Sequence, residues 1–476
     1  MTGPIVDVGR SLVVFASSQA AFDAISGAGE DYPEAADAIR VISANVGGAS
    51  PTAMREDRFG TATRVGGILQ KRTAEASLEA YLMTSGTVGT APDIDELLTS
   101  SGWSKAAGAG SDTTASGGTT SRITVAATTG WAVGDCGIFE NGSGTGGYEL
   151  RRITAVDTGG TNLDVSPALE NSPVSGANVK AGVLYSPSDT RDNSEDCLTI
   201  FAANNNSLDR AAGWTPDSLS VTLGSDEAAK ISLSGTARQH DRLVQTYLAS
   251  SVTDIATTAT VTNGDAGGEE MVNTYWQIED EVVKVTAVSG ATWTIVRAQL
   301  STSGATHAQD IALTPYTPTG TYAGSPLPAT SGAALVVKDG GSTPVSLQVS
   351  SATLTAGFGV EFREDVHGDA YKARGYVMTP REVEVSLSGW ALRGSSSSGT
   401  QTDKLIDVLQ DALDADTQLV FVQQGEASGS MVAFEAPTVR VQTPSMDRGA
   451  EEVTVELAGP AEGTVSGGDE VYLMFG

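Results

Sequence analysis

The stretch REDRFGTATR at 55–64 is echoed by REDVHGDAYKAR at 363–374, with Arg55, Glu56, Asp57, Gly60 and Ala62 standing against Arg363, Glu364, Asp365, Gly368 and Ala370. A distant repeat constrains a fold more than any local motif, because every element around it must be read twice. After the phrase, KRTAEASLEAYLM (71–83) sets Ala74, Ala76, Leu78, Ala80 and Leu82 on one side of an extended chain and Glu75, Ser77 and Glu79 on the other. PREVEVSLSGWAL (380–392) does the same with Val383, Val385 and Leu387 against Glu382, Glu384, Ser386 and Ser388. A period of two marks each as a half-buried strand with an acidic, small-polar outer face.

Each strand leads into a helical pattern. In TAPDIDELLTSS (90–101), Thr90 or Ala91 stands near the cap, Pro92 suits the first turn, and acids sit at the positive end of the dipole. TDKLIDVLQDALDA (402–415), capped by Thr402, carries its apolar stripe on Leu405, Val408, Leu409, Ala412 and Leu413. A strand pair closes each copy: DSLSVTLGSDEAAKISLSGTA (217–237) matches PTVRVQTPSMDRGAEEVTVELAGPA (437–461), ending Leu233-Ser234-Gly235 and Leu457-Ala458-Gly459. The first copy is the longer, so it holds an insertion, assigned to 104–186. That insertion opens with a Gly, Ser, Thr and Ala linker (106–121) and continues as short strands parted by Gly turns. The stretch 269–300 is related to it, with Ile153-Thr154-Ala155-Val156 against Val285-Thr286-Ala287-Val288.

The chain therefore reads as mainly β: two β-sandwich/barrel domains, each with one flanking helix, plus two small β modules. The expected boundaries are 1–103 plus 187–250 for the first large domain, 104–186 for the inserted module, 251–317 for the second module and 318–476 for the second large domain.

Charge and motifs narrow the function. With 58 acids against 28 bases the net charge is −30, a surface that repels phosphate and argues against a basic nucleic-acid groove. The basic pairs Lys71-Arg72 and Arg151-Arg152 stand alone, without interleaved aromatics for base stacking. Cys136 and Cys197 show neither metal spacing nor a disulfide framework, which favours assembly in a cytosol. Near the start, the run from Ser11 to Ala16 is too short for a signal-peptide core or a membrane span. GSGTGG (142–147) fits G-x-G-x-x-G, but a strand pattern follows it where a dinucleotide fingerprint needs a helix, so it reads as a hairpin loop. His240, His307 and His367 fall in unrelated segments without ligand-spaced partners, and His240-Asp241 has no nucleophile elbow to serve. Glu269-Glu270 and Glu279-Asp280-Glu281 read as solvated turns, since a glycosidase pair needs an aromatic-rimmed cleft. DTRDNSED (189–196) lacks the Gly and terminal Glu of an EF-hand loop. No catalytic, cofactor-binding or metal-binding residue is assigned, and the chain is expected to be a non-enzyme without a cofactor.

KRTAEASLEAYLMTSGTVGTAPDIDELLTSSGW (71–103) resembles the central stretch of tail tube proteins of long-tailed, siphovirus-like bacteriophages, and GWAVGDCGIF…RRITAVD…LDVSPAL resembles inserts found in such proteins. The resemblance is clear over 40–103 and weaker over 120–240 and 345–460. It implies a major tail tube protein with a duplicated tube domain, which polymerises into stacked rings around a channel for DNA ejection. If one domain fills one of six positions, the duplicated chain closes a pseudo-sixfold ring as a homotrimer. The implied partners are further copies of the chain, the tape measure protein, the tail terminator and distal tail proteins. Phage DNA would pass through the lumen without specific binding, and no membrane insertion is expected. The implied location is the virion tail, assembled in the host bacterial cytoplasm. Arg55, Glu56, Asp57, Arg363, Glu364 and Asp365 become candidates for a loop between stacked rings. Glu75, Glu79, Glu382 and Glu384 become candidates for lining the lumen, although periodicity leaves open which face turns inward. The two small modules should project outward. An acidic multi-domain β adhesin or virion decoration protein is the alternative; it accounts for the modules but not for the paired large domains.

Overall fold

Runs of period two dominate the chain, and nearly all of them are strands. The computed structural model describes residues 12–19, 32–49, 52–53, 68–140, 147–157, 159–188, 197–225, 227–263, 271–327, 332–338, 345–347, 349–364, 373–390, 417–442, 445–447, 454–464 and 467–476. The chain opens with β1 (Val13–Gln19), β2 (Ala38–Ile39), β3 (Ser43–Ala49), β4 (Thr52–Ala53), β5 (Ile68–Leu69) and β6 (Thr73–Tyr81), then helix α1 (Asp95–Ser100) and β7 (Trp103–Ala107). Six short strands follow: β8 (Ser111–Thr113), β9 (Arg122–Thr124), β10 (Cys136–Glu140), β11 (Tyr148–Val156), β12 (Asn162–Ser166) and β13 (Asn178–Ala181). Next come β14 (Val183–Pro187), β15 (Cys197–Asn204), β16 (Ser207–Gly224), β17 (Lys230–Ala237) and β18 (Gln239–Val244). A second short set is β19 (Thr246–Tyr247), β20 (Thr258–Thr260), β21 (Tyr275–Ile278), β22 (Glu281–Ser289), β23 (Thr292–Gln299) and β24 (Ala312–Pro315). The chain ends with β25 (Gly332–Lys338), β26 (Val345–Leu347), β27 (Val349–Gly357), β28 (Val360–Glu364), β29 (Ala373–Met378), β30 (Glu382–Trp390), β31 (Gln418–Ala427), β32 (Ser430–Val439), β33 (Ser445–Asp447), β34 (Thr454–Pro460) and β35 (Tyr472–Phe475).

One long antiparallel sheet runs β3-β6-β17-β16-β27-β30-β34-β33. Its order is a four-strand block written twice: β3-β6-β17-β16, then β27-β30-β34-β33. The first half of β16 bends away to build an outer sheet, β2-β1-β15-β16-β18, and β26-β25-β31-β32-β35 repeats that sheet in the second block. The irregularities recur as well. The β15–β16 ladder slips between Leu198 and Ile200, and the β31–β32 ladder slips between Gln418 and Val420.

Gly235 and Gly459, matched by sequence, meet the same constraint. A Cβ on Gly235 would stand 2.3 Å from the Thr215 carbonyl oxygen, and one on Gly459 2.2 Å from that of Arg440. Neither site can accept a side chain without moving a strand. Between the sheets lies the main core, to which β6 gives Ala74, Ala76, Leu78 and Ala80 while β30 gives Val383, Val385 and Leu387. Trp214 fills the first block and donates its indole N–H to the Ala76 carbonyl (3.0 Å). Val439 takes the equivalent place, opposite Gln418 as Trp214 is opposite Leu198, and a small cavity lined by Val385, Leu387, Val420, Val439 and Leu457 remains beside it.

The two short sets share one topology. Each places its strands in the order first, sixth, third, fourth, fifth, second: β8-β13-β10-β11-β12-β9 and β19-β24-β21-β22-β23-β20. Bridges Thr114–Val125 and Leu248–Val261 join the outermost strands, so both are closed barrels without a free edge. Their ladders slip at the same point, Ile153 to Ala155 and Val285 to Ala287, so the shared sequence at 153–156 and 285–288 encodes a bulge.

Two sequence expectations are corrected. The helix begins at Asp95 rather than near Thr90, and its cap position, Ile94, makes no side-chain cap bond, because the residues before it form turns, with Thr90 N–H on the Thr87 carbonyl and Asp95 N–H on that of Pro92. The expected linker 106–121 is partly strand: Ser111–Thr113 pairs with β13, where small hydroxyl residues suffice for an edge. The expected helix at 402–415 lies outside the described residues.

Trp214→Ala should cost about 3–5 kcal/mol, as expected for a buried Trp truncation, read as a lower urea midpoint for the first unfolding transition. Gly235→Ala and Gly459→Ala should each lower it too.

Candidate assembly interface

The long sheet has two unlike faces. Its buried face is the core just described. On the other face, the register places Ser43, Glu79, Ser232, Ser220, Thr355 and Glu384 in one row across six strands. A second row carries Asn45, Ser77, Ser234, Ser218, Gly357 and Glu382. All four acids singled out in the sequence, Glu75, Glu79, Glu382 and Glu384, thus share one face, on which Glu75, Glu382 and Glu384 are exposed. Four strand spacings separate Glu79 from Glu384, about 19 Å. Glu456 joins them opposite Ser388, and Lys230 is ion-paired with Glu227. Serine and threonine hydroxyls fill the interval. Apart from Tyr81, exposed at the end of β6 opposite Lys230, these rows present carboxylates and hydroxyls rather than aromatic platforms, and the carboxylates repel phosphate over a Debye length of about 8 Å.

The sheet ends at β3 on one side and β33 on the other, each paired on one flank among the described residues. Inside the chain, the last strand of the first block meets the first strand of the second through seven residue pairs, Ser218–Gly357 to Gly224–Ser351. This junction is head-to-tail, so it leaves a β3-type edge and a β33-type edge, the two halves of another such junction.

The repeated Arg-Glu-Asp phrases fall in corresponding places. The first, Arg55, Glu56 and Asp57, lies outside the described residues, between β4 and β5, which pair with each other. In the second, Arg363 is exposed and Glu364 ends β28, which pairs with β29; Asp365 lies outside the described residues. Each ribbon lies between the first and second strands of its block.

Sequence reasoning missed the contacts that fix the barrels to the outer sheets. Phe201 and Phe421 are equivalent positions just past the shared slip, and both are fully buried. Phe201, with Phe15, Leu208 and Leu243, packs into the interior of the second barrel. Phe421, with Met431, Ala433 and Met474, packs against Cys136, Ile138 and Leu150 on the side of the first. The same barrel thus sits on equivalent patches through different surfaces.

Beside each phenylalanine a charge is buried. Arg210, opposite Phe201, forms an ion pair with Asp241 (Nε to Oδ2 2.9 Å). Glu435, opposite Phe421 and wholly buried, accepts from Arg152 (Nη2 to Oε1 2.8 Å) and from the Ser166 hydroxyl (3.3 Å). Burial pushes the Glu435 carboxyl above its ordinary value, with Arg152 opposing. Arg152 also lies over the Tyr472 ring, and Arg151 over that of Phe421, at 4.4 and 4.6 Å. The Gln423 amide completes the join by accepting from Leu150 N–H and donating to the Tyr148 carbonyl, as a neighbouring strand would. The pair Arg151-Arg152, expected to be isolated, is therefore the polar fastening of the first barrel.

His240 Nε2 lies 2.9 Å from Asp209 Oδ1, which Arg242 shares, while Asp241 holds Arg210. One further reading changes. Glu281, expected in a solvated turn, is buried, because Arg297, His307 and two backbone N–H groups converge on it. Glu269-Glu270 and 189–196 lie outside the described residues, as do 141–146; the strands flanking 141–146 pair as a hairpin. No described helix is long and apolar enough to cross a membrane.

Arg152→Met leaves Glu435 buried without its cation and should cost about 3–5 kcal/mol at neutral pH, seen as earlier urea unfolding. A carboxyl whose folded value is raised takes its proton first as pH falls, so the deficit should shrink toward acid pH. No protein-family model matches the chain, and no curated protein matches it.

Proposed function

We propose that this chain is a structural virion protein, a tail tube subunit of a long-tailed phage that polymerises into stacked rings forming a channel for DNA ejection. The observation that carries the reading is the long sheet written twice, head to tail, with complementary ends. A heterologous junction that repeats closes a ring or runs into a filament, and closure removes every exposed edge. Pairing β33 of one copy with β3 of the next would reproduce the β16–β27 junction. Three copies then supply six blocks, a homotrimeric pseudo-sixfold ring.

The face bearing Glu75, Glu79, Glu382 and Glu384 is taken as the lumen lining. Both barrels pack on the outer sheets, across the core from that face, so they project outward and leave the channel open. DNA passes a surface dominated by carboxylates and hydroxyls that repels its backbone. The ribbons carrying the Arg-Glu-Asp phrases would reach between stacked rings. Tape measure, tail terminator and distal tail proteins complete the tail, which is assembled in the host cytoplasm. An adhesin or decoration protein would share the acidic barrels but has no use for a repeated, open-ended sheet.

Gly47 tests the edge. A Cβ there meets nothing within 4 Å, so Gly47→Lys should fold as the parent does while setting bulk and charge on the edge strand β3, on the polar face opposite Glu75. The parent at high concentration should form hollow tubes by negative-stain microscopy, and G47K discrete particles with an unchanged urea midpoint. A parent that stays discrete after seeding with tail tips would overturn the reading. Neutralising the four acids together (E75Q, E79Q, E382Q, E384Q) should leave assembly intact and slow DNA ejection from complete tails; normal ejection would remove the lumen assignment.

A further inference from the structure

The second barrel concentrates unusual backbone, most of it beside a buried ionic cluster. All six described non-glycine residues with positive φ lie in this barrel: Asn273, Glu279, Ala298, Leu300, Ser301 and Asp310. Side chains rarely adopt this left-handed region, so surrounding bonds must hold it. For the stretch from Ala298 to Ser301, Glu281 supplies them. Its carboxylate accepts from Arg297 (Nε 2.6 Å), from Ala298 N–H (3.1 Å) and Ala305 N–H (3.0 Å), and faces His307 Nε2 (2.8 Å). The two backbone bonds bracket Leu300 and Ser301.

His307 is buried with both ring nitrogens facing carboxylates, Nε2 toward Glu281 and Nδ1 toward Glu279 Oε2, each at 2.8 Å. Carboxylates only accept, so both nitrogens must carry hydrogen for both bonds to exist. Its backbone is bonded both ways to Val252, and Arg297 Nη1 donates to the Thr253 carbonyl (2.6 Å). The cluster therefore also pins the loop that presents Ile255, whose side chain is 83% exposed. The charged groups around the ring are Glu279 from the β21–β22 turn, Glu281 from β22 and, through Glu281, Arg297 from β23; the loop from 252 to 256 meets it through backbone.

We propose that His307 is a proton-operated latch: as an imidazolium it ties Glu279 to Glu281, and loss of its proton frees the 298–310 connection and the Ile255 loop while the barrel stays folded. The first barrel has no such device. Glu149 stands there in the place of Glu281, but its partners are Arg151 and the Glu170 N–H, and residues 111–181 contain no histidine. The latch also has an acid limit. Burial favours the neutral acid, but Arg297, His307 and the backbone donors outweigh it and hold Glu281 at about 2. Its contribution is present above the ordinary carboxylate range and lost as pH falls toward that value.

The test uses the full chain labelled with ¹⁵N-histidine, which carries only three such residues; His307→Gln identifies the resonance. Lowering the pH should bring His307 to a state in which both ring nitrogens carry hydrogen, and the ¹⁵N shifts report when that state is lost. Amides of 252–257 and 298–307 should exchange at least tenfold faster, after correction for intrinsic rates, once the ring titrates to neutral. Glu279→Ala, which removes the Nδ1 partner and leaves Glu281 and Arg297 in place, should speed exchange of the same amides under the conditions in which the parent ring is charged, with an unchanged far-UV spectrum. His240→Gln should leave them as in the parent. A ring that never carries both hydrogens while the barrel is folded, or amides equally protected with the ring charged and neutral, overturns the latch.

Discussion

Everything in this molecule hangs on β16. Its eighteen residues pair with four other strands: β15 and β18 along the first half, β17 and β27 along the second. One strand thus closes the outer sheet of the first block, completes its share of the long sheet, and joins it to the second block. A strand of this length cannot stay flat, and the slip beside Trp214 supplies the bend. Its partner in the repeat, β32, bends at the same place and then runs on toward β33, which is where the second block stops.

From that strand the division of labour follows. The long sheet offers a smooth polar face and two open edges, properties suited to association with copies of itself. The outer sheets offer apolar patches around Phe201 and Phe421, and these are covered within the chain by the barrels. The ribbon β7–β14 carries the first barrel, and β14 pairs with β35, so an insertion in the first block is stitched onto the second. The junction between blocks is therefore secured twice, by the β16–β27 ladder inside and by this ribbon outside. Buried ion pairs at the barrel contacts add little net stability, since each roughly offsets its own desolvation.

Much of this was legible in the sequence where the signal is local and periodic. The alternation of Ala74 to Leu82 against Glu75 to Glu79 gave both the strand and its faces, and Val383 to Leu387 gave its counterpart. Gly235 and Gly459 aligned because the same backbone oxygen excludes a side chain at each. The four residues at 153–156 and 285–288 aligned because both encode a bulge. What escaped was the long-range polar chemistry. Arg152 looked isolated because Glu435 lies 283 residues away, and Glu281 looked solvated because nothing in its neighbourhood announces Arg297 and His307. Composition also misled at Ser111–Thr113, where hydroxyl-rich sequence that resembles a linker serves as an edge strand.

In the proposed assembly, two blocks in one chain supply two positions of one ring. Cryo-electron microscopy of tubes assembled from the purified chain, reconstructed without imposed rotational symmetry, measures this directly. The account predicts three chains per ring, with a lining of six near-identical four-strand blocks and barrels attached through two alternating geometries. A ring of six chains, or a lining built from only one block of each chain, would contradict it.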